Sequence, residues 1–258
     1  MILNLYAFLN YQMPQPTDVL LQIEAAEQPD QILHSANINL SLTNAFARVP
    51  AEHGIGERIW MQVEGDFYCT YQATLEITRD VPDLSALKAT DLHALPGEAV
   101  RYLMPSRYCP SDEFYNFVST EFGDTSGGPR IAAICDWIAS RVNYVPGSST
   151  TQTTAVHTFV QRQGICRDFA HVLISLARAS GIPARFVSVY APAVTPQDFH
   201  AVAEVYLNGD WHLIDPTGMA KADEMARIGV GLDAADVAFM NSFNPVQLIA
   251  QTVNVTTG

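Results

Sequence analysis

The sequence predicts an α+β protein, in which an antiparallel β-sandwich over roughly the first 80 residues precedes a core built on one buried helix and an antiparallel sheet. Three observations predict it. Apolar residues alternate with period two through the first third of the chain; the period becomes helical from residue 131; and strands return from residue 185 around an Asn-Gly turn.

The strands come first. From Phe67 to Ile77 the odd positions are Phe67, Cys69, Tyr71, Ala73, Leu75 and Ile77, and the even ones Tyr68, Thr70, Gln72, Thr74 and Glu76. That is a strand with one face on a core. Val19, Leu21, Ile23 and Ala25 repeat the pattern, as do Ala36, Ile38, Leu40 and Leu42. Val63-Glu64-Gly65-Asp66-Phe67 reads as a hairpin turn between two such strands, which completes the case for a sandwich. A polar, proline-bearing connector from Val81 to Gly97 then marks a boundary, giving an N-terminal domain of residues 1–90 and a core of residues 91–258.

In the core, Ile131, Ile134, Cys135, Ile138 and Val142 fall at helical spacing and predict an amphipathic helix ending near Tyr144-Val145-Pro146-Gly147. Ser148 to Thr154 is small and hydroxyl-rich, a loop. Cys166 to Ser180 is apolar almost all round, with Gly181 just past its end, so it reads as a helix buried at the centre of its domain. Strands follow at Arg185 to Tyr190 and Ala201 to Leu207. Asn208-Gly209 is the strongest short hairpin signal, and Trp211 to Ile214 returns. Asp233 to Met240 suggests a short final helix.

Composition narrows the function. Acidic residues outnumber basic ones 27 to 14, a formal charge of -13, and such a surface repels phosphate backbones and anionic lipid. Nucleic acid and membrane are therefore not expected partners. No Asp-rich calcium loop appears, and Cys69, Cys109, Cys135 and Cys166 are scattered without a CxxC pair, so neither a metal site nor a disulfide framework is suggested. No cofactor is expected. The opening Met1-Ile2-Leu3-Asn4-Leu5-Tyr6 lacks the basic start and long apolar run of a signal peptide, which points to the cytoplasm and a free Cys166 thiol.

One group of residues carries chemistry. Cys166 opens the buried helix, His200 opens a strand, and Asp215 closes the partner strand of the same hairpin. Unpaired amides and the dipole of a helix start favour a thiolate and can donate to an oxyanion. With Asn208 and Gly209 as the loop, Val202 lies opposite Asp215, and His200 is two residues on along the same face. A one-residue slip would send His200 to the other face. Singly, each residue has a bland reading: a buried cysteine, a half-buried histidine, a turn aspartate. Together they supply a cysteine nucleophile, a base and an orienting acid. That hairpin geometry does not by itself bring Cys166 close.

These segments are also recognisable. Gly164-Ile165-Cys166-Arg167-Asp168-Phe169-Ala170-His171, Gly181-Ile182-Pro183-Ala184-Arg185, Asp198-Phe199-His200-Ala201 and Trp211-His212-Leu213-Ile214-Asp215-Pro216-Thr217 resemble the bacterial transglutaminase-like family of cysteine proteases. Tyr144-Val145-Pro146-Gly147-Ser148 upstream and Arg227-Ile228-Gly229 downstream extend the resemblance over roughly residues 100 to 245. It implies a papain-like, transglutaminase-like core behind a β-sandwich, with Cys166 as nucleophile, His200 as base and Asp215 orienting the imidazole. Val202 stands where the family often carries an aromatic, a difference of pocket shape. Lesser candidates for substrate binding are Arg167, which could pair with an acid such as Asp198 or bind a substrate carboxylate, Asp168, which could cap helix amides, and Trp211, which walls the cleft or fills core. His171 and His212 receive no catalytic role.

The expected activity is a cysteine-type peptidase or amidase acting on a peptide or protein substrate through a thioester. The alternatives are a protein-glutamine transamidase, a non-catalytic module that kept the fold, and a structural protein using its sandwich to bind. A serine or zinc hydrolase is disfavoured, since the chain has neither a GxSxG elbow nor HExxH.

Overall fold

The computed structural model describes residues 1–258. The chain begins with strands β1 (Ile2–Leu21), β2 (Gln31–Leu40), β3 (Ala45–Pro50) and β4 (Glu57–Ile77). Short 3-10 turns lead to helices α1 (Gly97–Val100), α2 (Tyr115–Phe122) and α3 (Gly127–Arg141). Two-residue strands β5 (Asn143–Tyr144) and β6 (Gln163–Gly164) flank α4 (Ala155–Gln161), and α5 (Cys166–Ala179) follows at once. Then come β7 (Ala184–Tyr190), β8 (His200–Leu207), β9 (Asp210–Ile214) and β10 (Ala226–Gly231), and finally β11 (Met240–Ser242) and β12 (Gln247–Thr257).

The N-terminal unit is one six-stranded antiparallel sheet in which β1 and β4 run its full length. Their first and second halves take different neighbours: β12 and β2 at one end, β11 and β3 at the other. The odd positions from Leu3 to Met13, Val19 and Leu21 of β1 share one core with those from Ile59 to Val63 and from Phe67 to Ile77 of β4. Both halves of the sheet close on one core, so the predicted antiparallel N-terminal unit is built from a single bent sheet and not from separate hairpins. The turn expected at Gly65 is likewise not a reversal. Gly65 takes a φ of +80° inside an unbroken β4, and Pro14-Gln15-Pro16 make the matching bulge in β1. Neither proline can donate to the ladder, so the strand bends there and resumes.

Three other expectations differ. The core does not run to residue 258, because β11 and β12 return to β1 and belong to the N-terminal sheet; a strand partner far away in sequence leaves no local signal. Asp233 to Met240 forms turns leading into β11, held by Asp233 and Asp236 side chains accepting from Ala235 N and Leu232 N. Leu42 lies beyond β2 and is 97% exposed, so the alternation there continues past the strand that uses it.

The core sheet has the order β10-β7-β8-β9. One face, with Ala201, Ala203, Val205 and Phe186, packs on α5; the other carries Val187, Val189, Val202 and Leu213. Every α5 residue from Asp168 to Arg178 is buried, as its continuous apolar sequence requires. Gly181 ends the helix at a φ of +73°, with Ile182 N donating back to Ala177 O. Arg178, only 2% exposed, donates to the carbonyls of Ala184, Met104 and Leu232, fixing that end of α5 in place. The two sheets meet through Tyr190, Ala226 and Ile228, which join the N-terminal core, and Tyr190 donates to Ile23 O at 2.7 Å. No helix is long and apolar enough to cross a membrane.

The connector docks on α3 with no spare room. Gly128 N donates to Leu87 O at 2.9 Å, and a Cβ on Gly128 would lie 1.6 Å from Leu84 O. Gly128→Ala is therefore expected to cost about 3 kcal/mol or more, read as a lowered midpoint in urea unfolding; an unchanged midpoint would show that the connector is not packed this way.

Candidate active site

The site is assembled from three chain segments. Cys166 is the first residue of α5, half-buried, and it follows Ile165 in extended backbone at φ −114° and ψ −179°. Ile165 has no capping side chain, so Asp168 does that work from inside the helix: its Oδ2 accepts from Ile165 N at 2.9 Å. Asp168 N and Phe169 N donate to Ile165 O, leaving the Cys166 and Arg167 amides ahead of the first helical hydrogen bond. There is no space for a larger residue at Gly164, whose Cβ would sit 2.7 Å from that of Asp168.

His200 and Asp215 come from the β8–β9 hairpin. Asn208 and Gly209 take φ of 53° and 87°, and the pairs run from Leu207 and Asp210 to Ala203 and Ile214. Continued by one residue, the register sets Val202 opposite Asp215, as the spacing predicts. His200 Nε2 donates to Asp215 Oδ2 at 2.9 Å, with both side chains 1% exposed. The remaining capacity of Asp215 is used too. Oδ1 accepts from Thr217 N at 2.9 Å and Thr217 Oγ1 at 2.7 Å, and Oδ2 from Ala220 N at 2.9 Å. Burial alone would raise the Asp215 pKa, but these bonds, His200 first, hold it below the usual carboxylate range.

Cys166 acts on the same imidazole. His200 Nδ1 is buried with no partner in hydrogen-bonding geometry, yet the thiol is near enough to act on the ring. Burial opposes a charge on His200, but the Asp215 hydrogen bond and then Cys166 outweigh it, and the His200 pKa rises to about 9. Burial pushes Cys69, Cys109 and Cys135 each up to about 12.

The lesser candidates separate. Asp168 is fully buried and Arg167 is mostly so, and both hold a loop: Asp168 Oδ1 accepts from Ser149 Oγ at 2.9 Å, and Arg167 Nη2 donates to Thr150 O at 2.7 Å. Arg167 pairs with Asp168 at 3.2 Å and not with Asp198, which instead accepts from Gln251. Trp211 is brought elsewhere, packed between Tyr102, Tyr206 and the Arg185 guanidinium, and lining a cavity that none of Cys166, His200 and Asp215 lines. His171 is a core residue whose ring accepts from Ala234 N, stacks on Tyr108 and is held neutral by burial, with a pKa near 3. His212 donates to Leu207 O. No three His, Cys, Asp or Glu side chains are grouped to hold a metal ion.

Sequence reasoning did not single out Tyr144. β5 pairs in parallel with β6, and Val145 N donates to Gly164 O, which sets Tyr144 opposite Gly164, two residues before the nucleophile. Its phenol pKa is pushed up to about 12, by burial first and then by the neighbouring Cys166 thiol. A parallel two-residue bridge has no pattern to find; only the position of Tyr144 at a helix exit was legible.

Comparison with known proteins bears on the fold and the family. The description "Transglutaminase-like superfamily" matches residues 116–216. A crystal structure from Cytophaga hutchinsonii, of a protein provisionally named a cysteine protease, is 30% identical and superimposes with a TM-score of 0.92, covering 99% of this chain and 90% of that one. An uncharacterized protein of Mycobacterium leprae is 27% identical over 181 residues, 66% of this chain and 64% of its own. One of Mycobacterium tuberculosis is 32% identical over 128 residues, 42% of this chain and 40% of its own. The chain thus spans less than two thirds of these mycobacterial relatives.

The raised pKa of His200 has a definite sign. Its charge stabilises the fold fully below the ordinary value of 6.5, and that contribution is lost as pH rises through about 9. In Asp215→Asn the largest raising interaction is gone, so the His200 pKa should fall well below 9 and the stability change between pH 6.5 and 9 should shrink. Imidazole titration by NMR and unfolding across that range measure both; an unmoved titration would detach Asp215 from His200.

Proposed function

The chain belongs to the transglutaminase-like superfamily, and on that premise we propose that it is a cysteine-type amidase or peptidase that hydrolyses a peptide or isopeptide bond through a thioester. One observation carries the reading: a buried imidazole bonded through Nε2 to Asp215 keeps its Nδ1 free, and the half-buried Cys166 thiol at a helix start raises the pKa of that ring. The chemistry follows from those atoms. His200 takes the Cys166 proton; the sulfur attacks the carbonyl carbon; the Cys166 amide is placed to donate to the oxyanion. The protonated Nδ1 then gives its proton to the departing amine, leaving a thioester. Water, deprotonated by the same nitrogen, attacks the thioester and releases the acid and the free thiol.

Asp215 stays ionised throughout and holds the ring by its Nε2 proton, the orienting role of the third member of such a triad. Hydrolysis is favoured over transamidation because the site is open. Cys166 is partly exposed and Tyr144 is 38% exposed beside it, so water is always available as acceptor.

Two experiments test the reading. Iodoacetamide across pH 4 to 9, with modified cysteines mapped by mass spectrometry, should label Cys166 alone below pH 7, and that labelling should be lost in His200→Ala. Labelling that rises only near pH 8.5, as for an ordinary thiol, would leave a fold without chemistry. Cys166→Ser should fold like the parent but lose turnover of amide substrates by at least about a thousandfold; retained turnover would remove Cys166 as nucleophile.

A further inference from the structure

A cavity of about 740 Å³ opens at the β9 edge of the core sheet, where the loop at Asp30 and the connector from Arg79 to Leu87 meet it. That volume suits a small molecule. Its floor belongs to the face that α5 does not cover. There Glu204, fully buried, is clamped between two arginines: Oε2 accepts from Arg185 Nε and Oε1 from Arg227 Nε, each at 2.6 Å. Glu204 lies four residues along β8 from His200, about 13 Å at the rise of a strand.

The floor is positively charged in excess. Arg79, Arg185 and Arg227 face only Asp30 and Glu204, and both acids are held ionised by those arginines against burial. Arg185 and Arg227 are 5% and 8% exposed and both line the cavity. Arg185 spends Nε and Nη2 on Glu204, and Arg227 spends Nε on Glu204 and Nη1 on Asp30. Arg185 Nη1 and Arg227 Nη2 have no partner in the protein and are not sealed from solvent. Two guanidinium edges that are nearly desolvated and unpaired favour an incoming carboxylate. His53 on the wall is held below its ordinary pKa by burial and by Arg185.

The rim has the opposite character. Asp80, Glu98 and Asp210 line it, all three are exposed, and none is in an ion pair. Trp211 stands between rim and floor, its ring 4.1 Å from the Arg185 guanidinium. We propose that this cavity is a second ligand site that takes a zwitterion of dipeptide size, carboxylate on Arg185 and Arg227, apolar body against Trp211, ammonium toward Asp80, Glu98 and Asp210. The site does not depend on the reaction at Cys166.

The test titrates leucyl-leucine, its N-acetyl derivative and its C-terminal amide into Cys166→Ala protein, which cannot turn them over, by calorimetry and tryptophan fluorescence. Leucyl-leucine should bind about tenfold or more tightly than either capped form, since each cap removes one charged contact. Glu98→Gln, on the exposed rim, should weaken leucyl-leucine about threefold and leave the acetylated form unchanged. Arg185→Lys, which keeps a charge for Glu204 but loses the free edge, should weaken it about tenfold; if that variant does not fold, Glu98→Gln and the capped series decide. Trp211→Phe should abolish the fluorescence change and keep the heat. No saturable binding, equal binding of the capped forms, or affinity unmoved by both charge variants, which would put the peptide beside Cys166, overturns the proposal.

Discussion

The register of the β8–β9 hairpin is the constraint on which the site depends. Asn208 and Gly209 both take positive φ, a conformation suited to a two-residue turn that follows strand twist. Because that turn has no slack, the pairing of every later residue is determined, and His200 meets Asp215 at 2.9 Å. Side chains alternate strictly along a strand, so no partial slip is available: a shift of one residue puts the imidazole on the wrong face. The four hydrogen bonds on Asp215 then remove the remaining freedom, since a carboxylate that is fully committed cannot rotate away from the ring.

The second constraint is the immobility of α5. Eleven consecutive buried residues leave the helix no surface to slide along, and Arg178 ties its far end to three carbonyls. Its near end is fixed by Asp168, which caps Ile165 and also anchors the Ser149 loop. Asp168 and Arg167 therefore act on the chemistry by position. A charge that touches neither reacting atoms nor solvent still decides where the nucleophile stands, because a helix start without a cap frays.

The N-terminal sheet is joined to this machinery from both ends of the chain. Residues before 78 and after 239 form it, and it contributes Asp30 and, with the connector, Arg79 to the charged floor beneath β9. Buried ion pairs of this kind add little net stability, because desolvation offsets most of their attraction, but they are geometrically exacting. They tie the loop at Asp30 to the core sheet, and they leave Arg185 Nη1 and Arg227 Nη2 without a partner in the protein.

Much of this was written in local pattern. Alternation of Phe67 to Ile77 located a strand, the apolar run after Cys166 a buried helix, and Asn208-Gly209 the turn that aligns His200 with Asp215. Those signals are legible because burial and backbone sterics act on neighbours a few residues apart. By itself, then, the sequence determined the α+β class, the buried helix after Cys166 and the register of the hairpin, and it singled out the three candidate residues. Tertiary structure alone decided that one bent sheet would replace hairpins at Gly65, that β11 and β12 would close on β1, that Tyr144 would stand beside Cys166, and that Trp211 would line a different cavity. Each of these rests on contacts between residues far apart in the chain, whose free energy appears only when the whole fold has closed, and which no periodicity records.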